Sequence, residues 1–476
     1  MENGNVRTGA GHMEPMLPDQ SQVLEDLTFT LVASASKFAG SINSPLKRSI
    51  GDLVRAMNCY YSNLMEGHDT HLADIEKALR KEYSTEPRKR DLQLEAQAHI
   101  EVQQMIDHGQ MPRPAISIEG IKWIHTEFCR RLPVSLLEID DPVAGEKILM
   151  VPGEFRNREV KVGNHIAPEP ASLDHLMGRF VEAYASRMLS QARKVVAVGA
   201  SHHRFGWIHP FLDGNGRVGR LMSHAMLREL GVGSELWSIS RGLSRNVERY
   251  KELFEVADEP KRGDLDGRGS LTEAGLAQFC TFFLEVCIDQ VDFMSSLIQP
   301  PEMRNRMELW AAEEIRAKRL PKGSWDLLRE ALVLGEFPRS RVAALTGYQD
   351  RQARAVLSHL VTKGYLVSDT PRGAVRLSFP SDVVERWFPG LYKPGGISGS
   401  RPKLGASSVA RAEIYGTLIV LMERKGWNVP ADFITTLGIY VDEEVASQML
   451  PKVLGAASLS DLLQDFSVVI PGFEND

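Results

Sequence analysis

No stretch constrains this chain more than residues 209–220, His-Pro-Phe-Leu-Asp-Gly-Asn-Gly-Arg-Val-Gly-Arg. Pro210 stiffens the backbone, and Gly214 and Gly216 flank Asn215 in a loop whose N–H groups can turn toward an anion. Beyond it Val218, Leu221, Met222 and Met226 fall near helical spacing, so the loop opens a helix whose N-terminal dipole also favours phosphate. Arg217 and Arg220, three apart on the first turns, can reach the same polyphosphate. Asp213 is a short hard-oxygen ligand suited to Mg²⁺ bridging phosphates, and His209 is placed to take a proton from an incoming hydroxyl. Singly, a histidine before proline is turn scaffolding and Gly-Asn-Gly is a loop. Nine specified residues in a twelve-residue window are a site.

The rest of the chain bounds what that site can serve. Its 476 residues predict two to four domains. Lys plus Arg number 56 against 62 Asp plus Glu, a net charge of −6, which excludes nucleic-acid or membrane binding by bulk charge and requires a local patch instead. With 43% hydrophobic and 25% charged residues the composition is that of a globular protein. Cys59, Cys129, Cys280 and Cys287 are too scattered for a disulfide framework or a zinc site, so a reducing cytoplasm is expected. Cys280 and Cys287 should share a buried helical face. The N-terminus lacks the layout of a signal peptide and no apolar run reaches the ~18 residues a membrane span needs, so no membrane partner is expected.

Periodicity gives a mainly α fold. Residues 1 to about 22 read as mobile. Ser44 reads as an N-cap with Pro45 at the first helical position, and Gly67 as the stop. Helical pattern follows over 72–80, 90–108 and 118–131. Residues 145–166 read as one β-hairpin around a Pro152-Gly153 turn, with Val160 and Val162 alternating with polar neighbours. Helices return over 173–189 and 192–203 and on to about 290. Residues 325–380 run helix, helix, helix and two β-rich stretches, the order of a winged helix. Over 409–424 the sequence predicts one further amphipathic helix, of no assigned role.

The 209–220 segment resembles the HPFx(D/E)GNGRxxR signature of the Fic (Fic/Doc) family at every position, and 152–170 is similar to the family's hairpin flap. The resemblance covers about 41–300. It implies a helical core that transfers AMP from ATP to a Ser, Thr or Tyr hydroxyl of a protein, releasing pyrophosphate. By that resemblance His209 is the general base, Asp213 holds Mg²⁺, Gly214, Asn215 and Gly216 hold the α- and β-phosphates, Arg217 clamps the triphosphate, Arg220 takes the γ-phosphate and Phe211 anchors the loop. It also counts Val162 and Gly163 of the flap with the nucleotide site, and docks the protein substrate on the 145–166 flap by strand addition. The expected organisation is a 1–40 extension, a 41–112 helical region, a 113–300 Fic core, a 301–395 winged-helix-like domain, and 396–476 as linker and C-terminal helical segment.

Ser62-Asn-Leu-Met-Glu66-Gly67 fits the family's (S/T)xxxE(G/N) inhibitory motif, in the N-terminal position of one of its classes. Glu66 closes a helix at the end where the macrodipole disfavours an anion, so a cation from elsewhere should compensate it; the resemblance names Arg220. Tyr250 reads equally as an adenine-pocket or a core residue, whereas His202, His203 and Trp207 read as core. Arg351, Arg354, Lys363, Arg372 and Arg376 could meet a DNA backbone, but target binding or self-association, including a homodimer, is the favoured reading of that domain. Alternatives are a hydrolase that removes AMP with the same loop, a silent DNA-binding regulator, and Doc-like phosphotransfer. The intact loop argues against the last two.

Overall fold

The computed structural model describes residues 10–68, 70–140, 147–163 and 165–392. The chain divides between Pro394 and Gly395 into two compact units, and every described residue belongs to the first. The helix expected over 409–424 lies outside the described residues.

Five helices come first: α1 (Gln22–Ser41), α2 (Ser44–Met65), α3 (Leu72–Leu79), α4 (Pro87–Asp107) and α5 (Ile118–Cys129). Two short antiparallel ladders follow, β1 (Glu138–Asp140) with β2 (Lys147–Leu149) and β3 (Lys161–Val162) with β4 (His165–Ile166). The core continues with α6 (Leu173–Tyr184), α7 (Gln191–Ile208), α8 (Asn215–Glu229), α9 (Ile239–Arg245), α10 (Val247–Val256), α11 (Glu273–Leu297) and α12 (Pro300–Arg316). A smaller lobe runs α13 (Ser324–Leu334), β5 (Glu336–Phe337), α14 (Val342–Thr346), α15 (Asp350–Thr362), β6 (Leu366–Val367), β7 (Val375–Leu377) and α16 (Ser381–Trp387), its sheet ordered β5-β7-β6. The described residues are therefore mainly helical with small antiparallel sheets.

Four expectations are corrected. The N-terminus is docked from residue 10 onward, because Met13 and Met16 find apolar surface and are buried. Among the bonds that fix it, Arg204 Nη2 donates to the Pro15 carbonyl (2.9 Å), the Tyr184 hydroxyl to that of Met16 (2.6 Å), and Arg179 Nε to Glu14 (2.7 Å). Asn43, not Ser44, caps α2, accepting from the Leu46 N–H at 2.9 Å, so Pro45 falls one place later in the helix. The single hairpin over 145–166 is two ladders, since Pro152-Gly153 turns the chain without pairing its flanks. In the small lobe the two β-rich runs gain a partner strand, β5, in front of them.

The core sits on α11, which packs on α1, α7 and α9. By length and composition α11 could cross a membrane, but 67% of its most apolar window is buried inside the protein. Cys280 and Cys287 both lie on its buried surface, as expected, where burial pushes the Cys280 thiol up to about 12.

Helix α2 lies between the core and the small lobe. Arg376 of β7 pairs with Asp52 (3.0 Å), Arg48 with Glu336 of β5 (2.5 Å), and Asn43 Nδ2 donates to the Val333 carbonyl (3.2 Å). Arg376 thus faces α2 rather than an open surface.

Candidate functional site

Helix α7 ends at His209, whose left-handed backbone (φ 49°) turns the chain sharply into Pro210. The buried Phe211 ring then stacks on His125 at 3.9 Å between centroids. Asn215 closes the loop on itself: Oδ1 accepts from the Phe211 N–H (2.9 Å) and Nδ2 donates to the Phe211 carbonyl (2.8 Å). With its oxygen and one amide N–H so occupied, Asn215 can offer an anion its backbone N–H and the second amide N–H. Gly214, at φ 77°, starts α8 and leaves the first-turn N–H groups pointing out of the helix.

His209 sits against Arg156, which the sequence reading missed. Arg156 Nε donates to the His209 carbonyl (2.8 Å), its Nη2 to the Pro168 carbonyl (2.5 Å), and its backbone N–H to the Pro210 carbonyl (2.8 Å). The flap and the loop are stapled together by one guanidinium. Burial, and secondarily that cation, push the His209 imidazole down to about 4, so it is neutral at pH 7 and able to accept a proton. His125, also missed, is likewise lowered to about 4 by burial, and its Nδ1 accepts from the Gly153 N–H (2.7 Å).

The two arginines are both occupied. Arg220 Nη2 pairs with Glu66 Oε1 at 2.6 Å, and its Nε donates to the Ser62 hydroxyl at 3.0 Å. Helix α2 delivers these groups through its end: Gly67 (φ 79°) takes the left-handed position after Glu66, its N–H bonds the Leu64 carbonyl, and the His68 N–H bonds that of Asn63. This turn aims Glu66 at Arg220 and His68 at Arg217. A methyl group on Gly216 would lie 2.4 Å from Glu66 Oε1, so the carboxylate stands directly against the first turn of α8. Burial raises the Glu66 carboxyl, but Arg220, Arg217 and the hydrogen bond to Arg220 together outweigh it and hold the group below its ordinary value.

Arg217 pairs with Glu95 of α4, and its Nη2 also lies 3.1 Å from His68 Nδ1. Glu95 was missed at the sequence level. The signal was there: Glu95, His99, Gln103 and Asp107 recur every fourth residue, a polar stripe on a helix that buries Ala96, Ile100, Val102 and Ile106.

Other predicted residues take these places. Asp213 is exposed on the loop. Val162 is 45% exposed on β3, and Gly163 makes the adjoining turn at φ 58°. The Tyr250 hydroxyl lies 3.1 Å from His202 Nε2, and His202 Nδ1 lies 2.9 Å from the Ser223 hydroxyl, so both are tied into the floor under α8. His203 and Trp207 are buried.

A loop of this build between two buried helices defines a class of domain. Residues 115–227 match the Fic/DOC family, so a domain of that family is present in this chain. The chain is 34% identical over 115 residues to a protein adenylyltransferase Fic of Drosophila willistoni, covering 24% of this chain and 23% of that protein. Against the one of Drosophila virilis the identity is 35% over 115 residues, covering 24% of each. It spans about a quarter of the length of the curated relatives it matches. A Fic family protein from Desulfovibrio desulfuricans is similar in structure at 17% identity and a TM-score of 0.45, covering 76% of this chain and 97% of that one. The matched segment is narrower than the 41–300 expected, and leaves α2, α4 and Tyr250 outside it.

Proposed function

We propose that this protein is an adenylyltransferase that moves AMP from ATP to a Ser, Thr or Tyr hydroxyl of a protein, and that Glu66 restrains it. The observation that carries the reading is Glu66 itself, a carboxylate 2.6 Å from Arg220 at the open end of α8, where helix dipole, loop N–H groups and guanidinium favour a phosphate. A carboxylate there is a mimic of the anion the site is built to hold. The named relatives' activity supports the same chemistry.

In this reading the target hydroxyl attacks the α-phosphorus, its proton passes to the neutral His209 imidazole, and the bond to pyrophosphate breaks. Arg217 and the first-turn N–H groups hold the triphosphate, and Arg220 takes up charge on the departing pyrophosphate oxygens. Mg²⁺ draws much of its coordination from phosphates, so a lone exposed carboxylate at the loop, Asp213, suits it; it would supply charge neutralisation. Arg156 fixes the flap beside His209, and the exposed Val162 and Ile166 edge is where a protein segment would add as a strand. We read α13–β7 as a winged helix that meets protein, a target or a second copy, in a cytoplasmic setting.

The test is labelled ATP. Glu66→Gly frees Arg220 and should raise self-labelling ten- to a hundredfold, of the order expected for one charge-stabilising group, and His209→Ala added to it should return labelling to background. Equal background labelling in wild type and Glu66→Gly would sink the proposal, whereas loss of AMP from a pre-modified protein would point to the hydrolase.

A further inference from the structure

The polar stripe of α4 faces α2 and α8; its two ends, Glu95 and Asp107, are paired, whereas between them both ring nitrogens of His99 and the Nε2 of Gln103 are buried without a hydrogen-bond partner. Asp107 pairs with Arg55 (2.8 Å) and His224 (2.8 Å), and Gln103 accepts from Asn58 Nδ2 (2.5 Å). At the end nearest the loop, Glu95 Oε1 pairs with Arg217 Nη2 while Glu95 Oε2 lies 2.7 Å from His68 Nδ1. The Arg217 guanidinium also stands over the Phe128 ring of α5 at 5.5 Å. Its Nε is buried and has no hydrogen-bond partner.

This carboxylate cannot act as Glu66 does. Glu66 ends its helix and is 30% exposed, so a shift of the last turn removes it. Glu95 lies in the interior of α4, is 4% exposed, and its arginine 5%, so parting them would leave two buried, unpaired charges. An inhibitory contact must be able to open. The Glu95 contact is built to stay closed. It engages the guanidinium at Nη2 and leaves Nε a buried donor with no hydrogen-bond partner, free to bond an incoming anion.

We infer that Glu95 is a positioning residue. It holds Arg217 in register for the nucleotide phosphates in the restrained and released protein alike, acting through the arginine without touching the nucleotide. The inference rests on the AMP-transfer reading for its place in catalysis, but not for its effect on nucleotide binding.

Two readouts therefore separate the ideas. In labelled-ATP kinetics, Glu66→Gly is compared with Glu66→Gly/Glu95→Gln. The second should show a KM for ATP about tenfold higher, with a smaller change in kcat, because Arg217 binds ground and transition states alike. Glu66→Gly/Glu95→Asp, which keeps the charge, should fall between them and serves in its place if the glutamine variant does not fold. An unchanged KM overturns the inference. So does labelling above that of Glu66→Gly alone, which would make Glu95 a second inhibitor. Calorimetric titration of ATP into the same variants reads Glu95 independently of transfer. About tenfold weaker binding is expected, and equal binding overturns the inference even where Glu66→Gly labels nothing and the AMP-transfer reading fails.

Discussion

Arg217 and Arg220 lie one turn apart on α8, and each meets a carboxylate from an earlier helix, but the two pairs are built for opposite purposes. Glu66 reaches Arg220 from the capped C-terminal end of α2, just before a left-handed glycine and partly open to water. Glu95 reaches Arg217 from the interior of α4, closed to water on both sides. Sequence distance from the motif does not separate them, since both belong to the region before the matched family segment. What separates them is how much must be disturbed to open each. A regulator belongs on an element end, a fixed orienting group in a helix interior.

Equilibrium unfolding should show this contrast most strongly. Glu95→Gln leaves Arg217 a buried cation without its anion, a loss of about 3–5 kcal/mol by precedent for broken buried pairs. Glu66→Gln replaces a carboxylate that is 30% exposed and leaves the buried Arg220 a polar partner beside the Ser62 hydroxyl, so the loss should be smaller, about 1–2 kcal/mol. Urea titrations of the two variants check the difference, and equal losses would erase the distinction between a fixed and a releasable pair.

A pH series sharpens the same comparison. His209 is held at about 4 rather than its ordinary 6.5, so between those values the unfolded chain carries a proton that the folded chain does not. Acid therefore costs stability across that window, while the base stays neutral in the folded protein. In Glu66→Gly, kcat/KM should accordingly fall toward pH 4 rather than near 6.5. Glu66 is held below its ordinary 4.5, so its contact with Arg220 persists above that value and is lost only as the pH falls through the lower folded one. The ratio of Glu66→Gly to wild-type labelling should stay constant from pH 8 to pH 5. A ratio that collapses near pH 6 would mean that something other than the Glu66 charge restrains the site.

The loop and its helix were legible because their signal is local: proline, glycines and apolar spacing all lie within one short window of chain. Glu66 was legible for the same reason, at a helix stop marked by Gly67. Glu95 was not, although its stripe is regular, because a charged residue inside a helix usually faces water and only the partner, 122 positions later, says otherwise. Arg156 carried no pattern at all, since its partners are the carbonyls of His209 and Pro168. The flap was misjudged because strands of two or three residues give too few alternations to set a register. Docking of the N-terminus hung on two methionines among polar residues, too sparse a cue to outweigh the glycines and prolines around them.

The weakest expected effect bears on what holds Glu66 in place from a distance. The N-terminal half of α2 is tied to the small lobe through Arg376 with Asp52 and Arg48 with Glu336, while its other end carries Ser62 and Glu66 to Arg220. A helix gripped at one end transmits that grip along a rigid rod, so loosening the lobe contact should let the far end leave Arg220 more often. These pairs are partly exposed and each is worth about 0–1 kcal/mol, so Arg376→Ala should raise self-labelling no more than about fivefold, and less in high salt, which weakens the native pair as well. In the Glu66→Gly background the same substitution should change nothing, because the rod then has no carboxylate to deliver. A rise of equal size in both backgrounds would place the lobe's influence on the site outside α2.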